Sequence, residues 1–503
     1  MPIPFFHSIA AWVLKKRIGQ VEWFMKYPHE TQQELLYELL RIATTTEIGQ
    51  AKDFKSVRHY EDFKNRLPIV SYEEIAGEID RARRGEKNIF WSTPIKYFAK
   101  SSGTTDNKSK FIPVSKEAIE DCHFKAGKDM LSLYFNNNEN SQLLAGKCLR
   151  LGGSQELYYD YKSYFGDLSA IIIDNLPFWA EISSTPSHKV SMLSEWEHKI
   201  KAIVDEAVQE KVTGLAGVPS WMLVLLQNVL ETSGKRDLKE VWPDLEVYFH
   251  GGVSFKPYQL EYEQLIPKAG FQYYEIYNAS EGFFAIQDRN EADDLLLMLD
   301  YGIFYEFIPM KNYDTEKVIP LWEVALEEEY AMVITTNAGL WRYQIGDTVR
   351  FTSLSPYRIQ VTGRTKHHIN VFGEELIIDN AEKALAKATE ATKSILVDYT
   401  AGPVFMDKSS KGGHEWIIEF KKQPQDLEQF TRVLDATLQE LNSDYESKRY
   451  KNMTLKLPKV HAARTGLFYE WLQQQNKLGG QHKVPRLSNK RDFLETLLKM
   501  NGN

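Results

Sequence analysis

Three short apolar runs separated by helical spacing constrain this chain most. Val212 to Val218 is followed by Pro219-Ser220, Leu245 to Phe249 by His250-Gly251-Gly252, and Phe271 to Tyr277 by Asn278-Ala279-Ser280-Glu281-Gly282. Between them, Trp221 to Leu230 is strongly apolar with Ser220 placed to cap it, and Pro257 to about Pro267 also reads as a helix. Short apolar strands alternating with helices build a parallel sheet with helices on its faces, so the expected class is α/β. In such sheets ligands bind beyond the strand C-termini. The Gly-Gly and Ser-Glu-Gly turns fall at those ends.

A second stretch, FAKSSGTTDNKSKFIPV from Phe98 to Val114, sets small polar residues between apolar flanks. Ser101, Ser102, Gly103, Thr104 and Thr105 are followed by Lys108 and Lys110. Gly103 permits close backbone approach, so N–H and O–H groups can converge on one anion while the lysines add charge. The stretch reads as a phosphate cradle, without the Walker spacing G-x-x-x-x-G-K-[ST]. A polar hairpin turn is the other reading, and this stretch alone does not separate the two.

The flanking regions add architecture. Residues 1 to about 90 read as mostly helical, with Leu35, Leu36, Leu39 and Leu40 on one face, and another helix is expected from Lys116. Ile171-Ile172-Ile173 reads as a buried strand. From about Met298 to Asn370 the chain is β-rich, an antiparallel, barrel-like section of the large N-terminal domain. A helix over Asp379 to Thr392, strands at Ile395–Tyr399 and Trp416–Phe420, and a helix carrying Leu427, Phe430, Leu434 and Leu438 come next. A strand at Met453–Leu457, stopped by Pro458, and a helix over Leu467–Gln475 complete a small α+β domain.

The net charge of −8 argues against a nucleic-acid partner. Cys122 and Cys148 are the only cysteines and build no disulfide framework, which fits a reducing compartment. Lys15, Lys16 and Arg17 follow the first apolar run, the reverse of a signal peptide. With no apolar stretch of about 18 residues, no membrane span is expected and the cytoplasm is the default location.

Several constellations carry chemistry. Glu281 at a strand end suits Mg²⁺ as a hard oxygen ligand, or it stands in the first turn of a helix capped by Ser280. Tyr343-Gln344-Ile345-Gly346-Asp347 sets an acid after a glycine in an expected β-turn. Its carboxylate can accept from two ribose hydroxyls, or close an Asx-turn. Gly363-Arg364-Thr365-Lys366 is a charged hinge or a solvated turn. His367 and His368 point to opposite faces of a strand, so no zinc site is assigned. Gly479-Gly480-Gln481-His482-Lys483 is a hinge able to swing a cation into a site, or a flexible tail.

The order of these elements is more telling than any one of them. SSGTT with downstream lysines, then YNASEG, YQIGD, GRTKHHINVFGEEL and QHKVPRL resembles the plant auxin-responsive (Gretchen Hagen) family of acyl-acid amido synthetases and their bacterial relatives. That family lies within the adenylate-forming superfamily. The resemblance implies an N-terminal ATP- and acyl-acid-binding domain over residues 1–375 and a small mobile C-terminal domain over 376–503. It implies ATP, Mg²⁺, a carboxylic acid activated as acyl-adenylate, and an amino acid as acceptor. By motif, Ser101 to Thr105 and Lys110 hold phosphate, and Tyr277 and Ser280 lie at the nucleotide. Glu281 lies at its metal, and Asp347 binds ribose. Gly251-Gly252 line the adenine side, Arg364 lies near the hinge, and Lys483 reaches the reacting phosphate. Val218, Pro219 and Trp221 fall at the acyl pocket. Gln344 stands where plant members have Arg, and acid rather than lysine stands at Glu375. An acyl-CoA ligase and a catalytically silent nucleotide-binding scaffold remain as rival readings.

Overall fold

Parallel and antiparallel strands share one twelve-stranded sheet. The computed structural model describes residues 17–101, 110–152, 157–193, 196–252, 255, 258–315, 317–365, 368–369, 376–404, 412–442, 445–446, 449, 455–475, 484–488 and 491–502. The chain divides into two compact units, one of residues 1–218, 227–252 and 269–360, the other of 219–226, 253–268 and 361–503.

In the first unit the strands are β1 (Tyr97–Ser101), β2 (Lys110–Val114), β3 (Lys147–Leu151), β4 (Tyr158–Asp160), β5 (Ser163–Gly166), β6 (Ser184–Thr185), β7 (Val212–Gly217), β8 (Val247–Gly251) and β9 (Gln272–Ala279). They continue as β10 (Gly282–Ile286), β11 (Leu295–Leu297), β12 (Ile303–Pro309), β13 (Ile319–Pro320), β14 (Glu329–Thr336), β15 (Tyr343–Leu354) and β16 (Tyr357–Arg364), the last crossing into the second unit after Gln360. The large sheet runs β13-β12-β14-β15-β16-β11-β10-β9-β8-β7-β3-β6. Strands β6, β3, β7, β8 and β9 are parallel, and the β-rich section from β10 onward is antiparallel and continues the same sheet. Every residue of β8 and β10 is buried, as strands covered on both faces must be.

Helix α1 (Pro28–Ala43) buries Leu36, Leu39 and Leu40 on one face, in line with their spacing. Helix α2 (Lys125–Asn137) brings Tyr134 and Phe135 onto Phe249 and Tyr274 of the parallel sheet. The expected strand at Ile171–Ile173 is instead helix α3 (Leu168–Asp174), followed by the short α4 (Phe178–Ile182). Three isoleucines in a row do not distinguish a strand from one turn of a buried helix, and packing of Leu168 and Ile171 into the core decides it. Helix α5 (Pro219–Ser233) begins one residue before the expected cap. Val218 stands at its N-cap and Pro219 at its first turn, where the missing N–H costs nothing.

The second unit carries the short pair β17 (His368–Ile369) and β18 (Leu376–Ile377), and a three-stranded sheet of β19 (Ile395–Val404), β20 (Gly413–Lys422) and β21 (Lys459–Ala463). Helices α6 (Ile378–Thr392) and α7 (Leu427–Leu441) pack onto it. Asp426 caps α7 by accepting from the N–H groups of Glu428 and Gln429 at 2.8 and 3.0 Å, and Phe430, Leu434 and Leu438 fill its core. Of the strand expected at Met453–Leu457, Met453 and Thr454 lie outside the described residues, and Lys456 and Leu457 are in no strand. Pro458 precedes β21 rather than ending a strand, and Leu455 makes only an isolated bridge to Gly412. Helix α8 (Leu467–Gln474) packs with α9 (Asp492–Asn501) in a second apolar cluster. No described helix is long and apolar enough to cross a membrane.

Candidate functional site

The parallel strands end level with one another. Leu151 pairs with Gly217, Gly217 with His250, and Gly251 with Ile276. A Cβ at Gly251 would come within 2.4 Å of the Ile276 carbonyl oxygen, so only glycine allows this approach. Gly252 then turns the chain away at φ +82°. Burial pushes the His250 imidazole down to about 3, so it is neutral beside this edge at ordinary pH.

Strand β9 projects past that edge to Tyr277, Asn278 and Ala279. Ser280 and Glu281 form the two-residue turn into β10, since Ala279 pairs with Gly282. This excludes the helix-cap reading of Ser280. The Ser280 hydroxyl is buried and has no hydrogen-bond partner. A buried donor left open at the edge of a sheet is the signature of a position a ligand completes.

Asp347 lies inside β15 rather than in the expected turn. The register between β14 and β15 slips between Ala331–Thr348 and Val333–Gln344, and Gly346 occupies the slip at φ +86°. Such a bulge re-aims the next side chain. Asp347, 6% exposed, accepts a hydrogen bond from the Tyr277 hydroxyl at 2.7 Å. Tyr277 also packs on Phe284 and reaches the Met332 sulfur at 3.5 Å. The site therefore presents a carboxylate held by a phenol, an open hydroxyl and an acid at a hairpin turn.

The remaining expected residues are distributed as follows. Ser101 and Lys110 pair across the base of the β1–β2 hairpin, and the Lys110 ammonium lies 5.5 Å from the Tyr72 ring centre. Ser102, Gly103, Thr104 and Thr105 lie outside the described residues, as does Lys483. Val484 to Ser488 runs beside β19. Ala401 N–H donates to the Arg486 carbonyl at 2.9 Å and Ser488 N–H to the Ala401 carbonyl at 3.2 Å. Arg364 closes β16. Val218 and Pro219 start α5, while Trp221 packs half-buried against the α8–α9 cluster of the second unit. Gln344 donates to the Tyr313 hydroxyl at 2.7 Å.

Sequence reading missed the group that fixes the approach to β15. Arg342, 4% exposed, sits at φ +47° and donates from Nε to Glu306 Oε2 at 2.9 Å. It also donates to the carbonyls of Lys64 and Leu67 at 3.0 and 2.5 Å, and Tyr60 donates to Glu306 Oε1 at 2.8 Å. A lone glutamate within the apolar run Ile303–Pro309 was the available signal, because a buried charge requires a partner.

Comparisons with known proteins give the family and the fold. Models of the GH3 family N-terminal, central and C-terminal domains match residues 17–271, 296–364 and 379–492. The probable indole-3-acetic acid-amido synthetase GH3.1 of Arabidopsis thaliana is 23% identical over 96% of this chain and 93% of its own length. The GH3.15 acyl acid amido synthetase solved with 2,4-DB is similar in fold, with TM-score 0.81 and 18% identity over 97% of this chain and 96% of that one. A 2-hydroxyisobutyryl-CoA ligase solved in its postadenylation state with 2-HIB-AMP is also similar in fold, with TM-score 0.59 and 14% identity over 94% of this chain and 91% of that one.

Proposed function

The chain belongs to the GH3 family, and from that premise we propose that it is an ATP-dependent acyl-acid amido synthetase. It adenylates a carboxylic acid and passes the acyl group to the amine of an amino acid. The activities for which its relatives are named support the reading. The single observation that carries it in this chain is the Tyr277–Asp347 pair at 2.7 Å beside the open Ser280 hydroxyl. A carboxylate so placed accepts from vicinal ribose hydroxyls, and the serine donates to a phosphate oxygen.

A carboxylate is a poor electrophile. In the first half-reaction its oxygen bonds to the α-phosphorus of ATP, the α–β anhydride breaks and pyrophosphate leaves. Charge builds on phosphate oxygens, so donors aimed there lower the barrier. Ser101 to Thr105 and Lys110 take that role from the hairpin loop, and Lys483 takes it from the C-terminal segment. Gly252 borders the adenine, and Val218, Pro219 and Trp221 border the acyl group. In the second half-reaction the amine nitrogen bonds to the acyl carbon, AMP leaves and a proton is lost. Arg364 to Asp379 serves as the hinge between the two arrangements of the domains 1–375 and 376–503.

Bound Mg²⁺ supplies charge neutralisation at the phosphates. Glu281 at the turn suits it, because Mg²⁺ takes one or two carboxylates together with phosphate oxygens and waters. Among the described residues no cluster of three or more His, Cys, Asp or Glu side chains forms. The two cysteines favour a reducing, cytoplasmic location.

Lys483→Ala tests the assignment. Pyrophosphate release with ATP and an accepted acid should fall by at least about a hundredfold while the thermal midpoint holds. Equal release by variant and wild type would remove Lys483 from the reaction.

A further inference from the structure

Arg150 is a cation that the reaction above leaves unused. It stands one residue before the C-terminal end of β3 and is half-buried. Among the described residues its guanidinium makes no hydrogen bond and no ion pair. Burial pulls its pKa below the ordinary arginine value, and Glu181 on α4 acts on it through space without reaching ion-pair distance. A guanidinium in that position loses hydration and gains no direct hydrogen bond from the protein in return.

Register shows what surrounds it. Arg150 pairs with Ala216, Ala216 with Phe249, and Phe249 with Tyr274, so these side chains share one face of the parallel sheet. Phe249 and Tyr274 are buried beneath α2. Nearer the strand ends the same face opens, because Ala216, Val218 and Ile276 are only half-buried. The result is an apolar floor with Arg150 at one end. Tyr277 belongs to β9 itself and, one residue on from Ile276, faces the other side of the sheet, where it holds Asp347. Three strand spacings separate β3 from β9, roughly 14 Å. A carboxyl group reacting at the nucleotide therefore does not also contact Arg150.

We propose that Arg150 binds a non-reacting carboxylate of a substrate, supplied either by the distal end of a dicarboxylic acyl acid or by the α-carboxylate of the acceptor amino acid. This inference rests on the amido synthetase reading. The guanidinium fork fits a carboxylate bidentately, and the half-buried setting strengthens the pair. The apolar floor beside Arg150 favours a hydrocarbon or ring body over a polar one.

The test uses the full chain as wild type, Arg150→Met and Arg150→Lys. Pyrophosphate release is measured with matched acids, hexanoate against adipate and benzoate against terephthalate, without amino acid. The KM of glutamate and alanine is then measured in the coupled reaction. Loss of a preference for the diacid, with KM rising at least about tenfold and kcat little changed, assigns the anion to the acyl acid. A KM rise confined to the amino acid assigns it to the acceptor. Partial rescue by Arg150→Lys accompanies either result. If both KM values stay within about twofold of wild type, the proposal is overturned, whatever happens to the thermal midpoint. Should the wild type release no pyrophosphate with any acid, the functional reading fails separately. Adipate and glutamate are then used alone as thermal-shift probes. A rise in the wild type that Arg150→Met abolishes supports the anion site, and an equal rise, or none, in both proteins overturns it.

Discussion

At the residue scale, Tyr277 and Asp347 show how far spacing alone reaches. YNASEG and YQIGD marked both positions, but the reason Asp347 faces Tyr277 is the slip in β15 at Gly346. That slip depends on how two strands align and leaves no local mark beyond the glycine. Arg342 was less legible still, because its partners are Glu306 and the carbonyls of Lys64 and Leu67, far away in the chain. Removing the Tyr277 hydroxyl should loosen Asp347 without disturbing the core. A hydrogen bond to a charged acceptor contributes about 1.5–3 kcal/mol, so Tyr277→Phe should raise the KM for ATP by about tenfold or more. Steady-state kinetics with varied ATP checks this. An unchanged KM would mean that the pair does not serve the nucleotide.

At the element scale, strands and helices with clear periodicity were readable and short apolar runs were not. Leu36, Leu39 and Leu40 on α1 and Phe430, Leu434 and Leu438 on α7 are buried as their spacing requires. Ile171 to Ile173 went the other way, because three residues carry no period and packing alone decided the helix. Around Pro458 only one border is visible among the described residues, since β21 begins just after it at Lys459. The small sheet also carries a titratable lock. Burial alone would raise the pKa of Glu415 on β20. Hydrogen bonds from Lys459, Arg491 and His461, at 2.9, 2.7 and 2.8 Å, hold it instead at about 2. A folded-state pKa below the ordinary value of 4.5 contributes stability that is full above 4.5 and lost as pH falls toward 2. The loss should amount to about 2–3 kcal/mol across that window. Acid titration of the thermal midpoint should show it in the wild type and not in Glu415→Gln. An identical acid dependence in the two proteins would contradict the lock.

At the scale of the whole molecule, the order of motifs along the chain was the most informative signal. Alternating strands and helices implied the parallel core, and the change of character near Met298 implied the antiparallel extension. That both halves join in one twelve-stranded sheet was not readable. The joining pair, β11 with β16, brings Leu295 opposite Ile359, and such distant pairing is set by the assembled core. The identity of the acid was not legible either, since aromatic richness serves a core and a pocket equally. The central claim is amide formation through an acyl-adenylate, and its most direct test is a mass-spectrometric product scan. The protein is incubated with ATP, Mg²⁺ and a panel of aryl, indole, fatty and dicarboxylic acids, with amino acids and separately with CoA. The account predicts an acyl-amino acid amide together with AMP and pyrophosphate. A CoA thioester with no amide would contradict the acceptor, and the absence of AMP with every acid would contradict adenylation itself.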